Sequence, residues 1–259
     1  GAKVKTAGGT INVKTDALTL PSGEQGVLSS ANGTVTVETK SAGKTMSVNG
    51  GTADIQMTDL GFINSGTGAV QIGNASTGNI EIGTTSVDAP LTVTSGATVS
   101  VTGAVTNPNN KDVTFKGNTV DFTAGSSLAA GSGTTTIVAD SVGLDNGSFT
   151  GTGTFRVQKK TAGGFTVGGA STFVSDAGLG KLTGGFYNVE IGAKDYVGTA
   201  TINTISTGKL PAYTSILTKG ALSVTGTVNG GATDTLVLHG EGGLTQTAPI
   251  KVGNLLLLG

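Results

Sequence analysis

His239 is the only histidine in the sequence, so any mechanism that needs an imidazole depends on it. A Ser–His–Asp triad uses such an imidazole to take the proton from the nucleophile. His239 ends the alternating stretch TLVLH, with Asp234 and Glu241 nearby, and no G-x-S-x-G nucleophile elbow accompanies it. We therefore interpret His239 as a surface residue at the end of a strand.

Paired carboxylates are the second catalytic group to consider, because some β-helical proteins degrade polysaccharides with them. The chain has 16 acidic residues, and they are dispersed. The closest candidate pairs are Asp140 with Asp145, Asp54 with Asp59, and Glu190 with Asp195. The short separation in each pair crosses a turn instead of lining one face of a strand. Since there is also no Trp to support a sugar ring, we predict no enzyme and no catalytic residue.

Metal and cofactor sites are not predicted either. The chain has no Cys, which excludes disulfides and thiolate zinc sites. The tandem glycine–aspartate repeats of calcium-binding β-rolls are missing. The stretch GTGTFR at residues 151–156 lies in a strand-rich run, whereas a nucleotide-binding glycine loop lies between a strand and a helix.

The charge and hydropathy patterns exclude two further classes of partner. The net charge is −1 and 12% of residues are charged, with Arg156 as the only arginine, so we predict no nucleic-acid partner. The longest apolar run, residues 255–258, is far too short to span a membrane. The opening GAKVKTAGG has no apolar signal segment, so we expect a mature protein or a piece of a larger one.

Glycine and β-branched residues dominate the composition, with 45 Gly, 44 Thr, 25 Val and 12 Ile among 259 residues. Collagen is excluded because glycine has no three-residue period, and a helical bundle because helix formers are scarce. Short stretches alternate apolar and polar residues between Gly, Asn, Asp or Ser, which is the pattern of β-strands. Examples are TVTVE at 34–38, AVQI at 69–72, NIEI at 79–82, TVSV at 98–101, TVDF at 119–122 and NVEI at 188–191. No amphipathic helix is predicted.

The spacing of these strands favours a parallel β-helix. Val70, Ile80, Leu91 and Val99 follow one another at steps of about one short strand plus one turn. Gly and Asn supply the tight corners, and small aliphatic side chains suit a narrow interior. We predict an all-β, rod-like solenoid with about 20–25 residues per coil. The chain would then form roughly 10–13 coils and a rod of roughly 50–60 Å.

One shift in composition divides the chain. Seven of the eleven aromatic residues lie between Phe149 and Tyr196. We predict β-helical coils at residues 1–148, aromatic-richer coils or an excursion from the rod at 149–198, and further coils at 199–259. The last region is expected to continue beyond the sequence.

Two stretches resemble the shaft repeats of filamentous haemagglutinin-type exoproteins. They are GNIEIGTTSVDAPLTVTSGATVSVTGAV at 78–105 and GGLTQTAPIKVGNLLLLG at 242–259. The Gly-x-Leu-Thr-Gln-Thr-Ala-Pro-Ile motif in the second stretch is typical of the family. Members are large bacterial proteins exported by two-partner secretion and folded as right-handed β-helices on the cell surface. The resemblance implies an extracellular or cell-surface location and an outer-membrane transporter as a partner during export.

The secretion domain of that family carries Asn-Pro-Asn motifs near its N-terminus. Asn107, Pro108 and Asn109 match three letters of the motif, but they lie mid-chain and the expected hydrophobic strand residues after them are missing. We interpret them as a turn between two strands. The resemblance therefore implies a piece of the shaft.

Three functions follow as hypotheses. The first is a non-catalytic shaft that projects a binding tip towards a receptor that the sequence does not identify. The second is a subunit of a self-assembling extracellular filament with end-to-end contacts through Leu255, Leu256, Leu257 and Leu258, although continuation into further coils is favoured. The third is a glycan-binding module that uses Tyr187, Tyr196 or Tyr213, although aromatic residues in such a chain usually belong to the core.

Overall fold

The computed structural model describes residues 4–20, 28–30, 32–58, 60, 63 and 68–259. Within them the chain winds into a β-solenoid of about 11 turns, all of whose sheets are parallel. The rod-like, all-β solenoid predicted from the strand spacing is confirmed. Asp59, one member of the candidate carboxylate pairs, lies outside the described residues.

The strands are short and are connected mostly by tight turns. The first half of the chain contains β1 (Val4–Thr6), β2 (Ile11–Thr15), β3 (Leu18–Leu20), β4 (Leu28–Ser30), β5 (Thr34–Thr39), β6 (Met46–Val48), β7 (Ile55–Met57), β8 (Ala69–Ile72), β9 (Ile80–Ile82), β10 (Thr85–Ser86), β11 (Leu91–Thr94), β12 (Thr98–Val101), β13 (Ala104–Thr106), β14 (Val113–Lys116) and β15 (Thr119–Phe122). The second half contains β16 (Ser127–Ala129), β17 (Thr135–Ala139), β18 (Ser141–Gly143), β19 (Ser148–Thr150), β20 (Thr154–Lys159), β21 (Phe165–Val167), α1 (Asp176–Lys181), β22 (Asn188–Gly192), β23 (Ala200–Ile202), β24 (Tyr213–Thr218), β25 (Leu222–Val224), β26 (Val228–Asn229), β27 (Thr235–Gly240), β28 (Leu244–Gln246), β29 (Ile250–Lys251) and β30 (Asn254–Leu258).

One sheet runs the whole length of the described solenoid. Its 11 strands are ordered β2-β5-β8-β11-β14-β17-β20-β22-β24-β27-β30. On a second side lies a seven-stranded sheet with the order β18-β15-β12-β9-β6-β7-β3. The same side continues as a four-stranded sheet with the order β21-β23-β25-β28. The third side carries the shorter sheets β10-β13-β16-β19, β26-β29 and β1-β4.

The register places equivalent residues directly on one another. Leu91 pairs with Val113, and Val113 pairs with Thr135, so both steps are 22 residues. Because side chains alternate across a strand, this register keeps every inward residue inward from one coil to the next. The coil length agrees with the expected 20–25 residues.

The interior is a single column of aliphatic side chains. Ile80, Val99 and Val120 stack on one another in the seven-stranded sheet, and each is fully buried. The outward neighbours Glu81 and Ser100 remain partly exposed. The inward orientation predicted from the alternation in NIEI and TVSV is therefore confirmed.

Phenylalanine rings belong to the same buried interior. Phe115, Phe122, Phe149, Phe155 and Phe186 form a chain of edge-to-face contacts with centroids 4.7 to 5.8 Å apart. Such edge-to-face pairs stabilise a core beyond the area that they bury.

The coil between β20 and β22 departs from the regular pattern. The seven-stranded sheet ends at β18, and the four-stranded sheet begins at β21. Between β21 and β22 lies α1, the only helix among the residues described; it is too short to cross a membrane. No amphipathic helix was predicted from the sequence, and the two glycines of DAGLGK disfavour a helix. The Ser175 hydroxyl accepts the Gly178 N–H at 2.8 Å and Leu179 is fully buried, so capping and packing override propensity. The division at residues 149 and 198 stays a prediction.

Corners between strands bring successive coils very close together. A Cβ on Gly83 would lie 1.8 Å from the carbonyl oxygen of Asn49 one coil earlier. Asn49 has φ +45°, the left-handed conformation that Asn tolerates better than most residues. Stacked corners thus explain the abundance of Gly and Asn between the alternating stretches.

A carboxylate holds one of these corners together. Asp54 accepts the Thr45 N–H at 2.8 Å, the Thr45 hydroxyl at 3.0 Å and the Lys44 ammonium at 3.0 Å. The backbone hydrogen bond from Thr45, followed by the hydrogen bond from Lys44, lowers the pKa of Asp54 from 3.8 to about 2. The ionised carboxylate is therefore the form that the fold stabilises.

Replacing Ile80 by Asp should destabilise the fold by several kcal/mol, because the change buries an unpaired charge in the aliphatic column. The matched control is Thr92→Asp, which adds the same charge on the outer face beside Gln71 and Thr114. That control should cost about 0.5 kcal/mol or less. Urea unfolding followed by circular dichroism measures both, and equal midpoints would contradict the inward assignment of Ile80.

Asp54→Asn should lower stability at neutral pH and have no effect in strong acid. Because the folded-state pKa is about 2 and the ordinary value is 3.8, the carboxylate stabilises the fold above pH 3.8. This stabilisation is lost as pH falls towards the folded pKa. Urea midpoints of both proteins between neutral pH and pH 2 should therefore converge on acidification. A difference between the two urea midpoints that stays constant with pH would contradict a stabilising role for the charge of Asp54.

Candidate binding surface

The outer face of the 11-stranded sheet carries the most varied group of exposed side chains. In its middle, Thr92, Thr114 and Thr136 stack as a plain column of hydroxyls. The next strands, β20, β22 and β24, replace this column by Arg156, Glu190 and Ser215 in the same register. At this point the column therefore changes from three threonine hydroxyls to a pair of opposite charges followed by Ser215.

Two tyrosines lie side by side at one edge of this region. Tyr187 immediately precedes β22 and is 79% exposed, while Tyr213 begins β24 and is 40% exposed. Their ring centroids are 6.5 Å apart and the rings are within 9° of parallel. The Tyr187 N–H donates to the Gly153 carbonyl at 2.9 Å, which anchors the backbone under the ring. The two rings form a small aromatic platform on the side of the rod.

Charged and amide groups lie beside the platform in a connected network. Arg156 Nε donates to Glu190 Oε2 at 2.6 Å, and Asn188 Nδ2 donates to Glu190 Oε1 at 3.0 Å. The Ser215 hydroxyl reaches Asn188 Oδ1 at 3.4 Å. These contacts hold the Glu190 carboxylate and the Asn188 amide in fixed orientations. The Arg156–Glu190 ion pair itself contributes no net charge.

A shallow groove of about 270 Å³ continues from this network along the strands. Its lining includes Arg156, Glu190, Gly192, Lys194 and Leu217. Gly192 pairs with Leu217 and contributes no side chain to the outer face. With φ +84° and only 2.1 Å between an added Cβ and the Leu217 carbonyl oxygen, the position accepts glycine alone. We call Tyr187, Tyr213, Asn188, Glu190, Arg156 and this groove the tyrosine surface.

Tyr196, the third tyrosine predicted as a ligand contact, lies elsewhere in the fold. Its ring packs against Phe165 with centroids 5.7 Å apart, and its hydroxyl donates to the carbonyls of Thr161, at 3.0 Å, and Gly163. Burial, followed by the nearby charge of Asp140, raises the pKa of Tyr196. Its position gives it a packing role, so the structure brings together two of the three tyrosines.

The four leucines predicted as an end-to-end contact form one exposed strand. Leu255, Leu256, Leu257 and Leu258 are 42%, 47%, 53% and 37% exposed. In β30 they pair with β27 on one side, where Leu255 lies on Leu236 and Leu257 on Leu238. The column of inward side chains therefore extends to β30, where Leu255 and Leu257 remain exposed to solvent.

The remaining catalytic candidates are scattered. Asp140 accepts from the N–H and hydroxyl of Thr161, Asp145 accepts from the Ser175 hydroxyl, and Glu190 pairs with Arg156. His239 lies within β27, and its Nδ1 is buried without a hydrogen-bond partner. Within the residues that the structure describes, no three Asp, Glu or His side chains are grouped as a metal site would require.

Comparison with family models, with curated proteins and with solved structures gives no match to this chain.

The contact between Arg156 and Glu190 was not predicted from the sequence. They are 34 residues apart, because the irregular coil with α1 lies between them. A search for opposite charges one regular coil apart would not have found the pair. The sequence does place Glu190, in FYNVE, and the only arginine within the same aromatic-rich region, and this is the feature that could have indicated the pair.

Proposed function

We propose that this chain is a non-catalytic, structural and adhesive shaft of a bacterial surface or secreted exoprotein, acting outside the cell. The observation that carries the proposal is the 11-stranded parallel sheet, which extends through the described solenoid without a break. A shaft must hold a distal binding region at a distance, and a rod of stacked coils does so. A receptor and an outer-membrane transporter for export belong to the same proposal.

The physics of the stack supports a mechanical role. Strands of successive coils are joined by hydrogen bonds that run along the rod axis at roughly 4.8 Å per coil. The sealed aliphatic interior, with Val35, Val70 and Val113 fully buried, couples each coil to the next. Bending the rod would therefore separate both hydrogen bonds and packed side chains. The weakly charged outer face and the resemblance to exoprotein shaft repeats favour an extracellular location.

If length is the function, one regular coil should be dispensable. Deleting residues 113–134 removes 22 residues and brings Thr135 into the register of Val113 above Leu91. We expect a folded rod whose maximum dimension in small-angle X-ray scattering is shorter by about 5 Å, with an unchanged cross-section.

The control deletes residues 113–133 and shifts the following strand by one residue. Such a shift turns the inward side chains outward, so this variant should lose its cooperative unfolding transition. The modular shaft would be contradicted if the 22-residue deletion also unfolded the protein. It would equally be contradicted if the intact chain had an enzymatic activity that this deletion abolished.

A second candidate is a subunit of an extracellular filament that assembles end to end. The exposed leucines of β30 favour it, because the outer edge of this strand offers unpaired backbone groups and apolar side chains together. A further coil of the same polypeptide would cover the edge equally well. The distinction is whether residues 1–259 associate on their own.

Light scattering during gel filtration separates these two cases. A filament subunit should give a measured mass above 25.2 kDa that increases with protein concentration. Leu257→Lys should restore the monomer, because it places a charge at the exposed end of the core. Val197→Lys adds the same charge at another site that is 67% exposed and should leave assembly unchanged. A mass that stays at 25.2 kDa at high protein concentration would contradict the filament hypothesis.

A further inference from the structure

We propose that the tyrosine surface binds a neutral oligosaccharide along the side of the rod. The proposal adds a lateral binding site to the shaft, and it places the site on β20, β22 and β24. It combines three observations: the paired exposed rings, the ion-paired polar network and the groove at Gly192.

The exposed rings are the first observation. Tyr187 and Tyr213 are the only tyrosines whose rings lie on the outside, since Tyr196 is packed against Phe165. Sugar rings present patches of C–H groups that pack on aromatic faces, while a phenolic hydroxyl can exchange hydrogen bonds with sugar hydroxyls. The two nearly parallel rings are stacked, so their exposed edges and hydroxyls lie close enough for one ligand to contact both.

The polar network argues for a ligand without net charge. Arg156 and Glu190 neutralise each other at 2.6 Å. Lys194 also lines the groove and the exposed Asp195 follows it in the chain, so these four charges sum to zero. The guanidinium of Arg156 retains further N–H donors beyond Nε, and the carboxylate oxygens of Glu190 retain acceptor capacity. Donors and acceptors held in fixed positions are what recognition of sugar hydroxyls requires. The partly exposed side chains of the pair, 37% and 22%, make these groups accessible.

The groove sets the direction of the ligand. It runs along the strands from Glu190 past Gly192 to Leu217, and it shares Arg156 and Glu190 with the polar network beside the tyrosines. The strand from Asn188 to Gly192 spans roughly 13 Å, the scale of a short oligosaccharide.

The experiment compares Tyr187→Ala and Tyr213→Ala with the parent chain on an array of neutral and sialylated oligosaccharides. Calorimetry then uses the neutral array oligosaccharide with the strongest signal. Both variants should bind about tenfold more weakly or worse, since each removes one aromatic face. Tyr187→Phe should retain most of the affinity. Val197→Ser, at another exposed apolar residue, should bind as the parent does.

Several outcomes would overturn the proposal. The first is that no neutral oligosaccharide binds at millimolar concentration. The second is that the parent and both alanine variants bind equally well, and the third is a preference for sialylated oligosaccharides. A change in oligomeric mass in the alanine variants without any glycan effect would instead assign the surface to a second copy of the chain. Deletion of residues 113–134 leaves the tyrosine surface intact, so this test and the test of the shaft can fail independently.

Discussion

Parallel hydrogen bonding between successive coils places each residue on its equivalent one coil earlier, about 4.8 Å away, and the rest of the structure depends on this stacking. Inward positions must then carry side chains that pack in a column, as Ile80, Val99 and Val120 do. Corners must let backbones approach closely, which is why Gly83 lies against the Asn49 carbonyl. The high content of Thr, Val, Ile and Gly is the composition that satisfies both requirements.

The same stacking turns the outer face into columns of neighbouring side chains. One column begins with Asn12, has threonines in its middle and ends with Ser215, Val237 and Leu256. Within it, Arg156 and Glu190 lie on adjacent strands and pair at 2.6 Å. A solenoid can therefore vary the chemistry of its surface coil by coil while its interior stays uniform. The tyrosine surface is the clearest case of such variation in this chain.

The irregular coil shows how the stack tolerates an insertion. Between β20 and β22 the chain adds α1, while the long sheet continues directly from Val157 to Ile191. Phe165, Phe173 and Leu179 fill the extra volume and belong to the same contiguous core as the regular coils. The insertion also creates the conditions for the tyrosine surface, because Tyr187 emerges where the chain returns to the long sheet.

The alternation of apolar and polar residues, together with glycine and asparagine corners, determined from the sequence alone that this chain forms a parallel solenoid with Ile80 and its equivalents inside. Those features are local, because a period of two and a tight corner each depend on a few adjacent residues. Only the tertiary structure decided that Tyr187 meets Tyr213 while Tyr196 packs against Phe165, and that Arg156 pairs with Glu190. Those contacts depend on the register between coils, which varies with the length of each turn and with the insertion of α1.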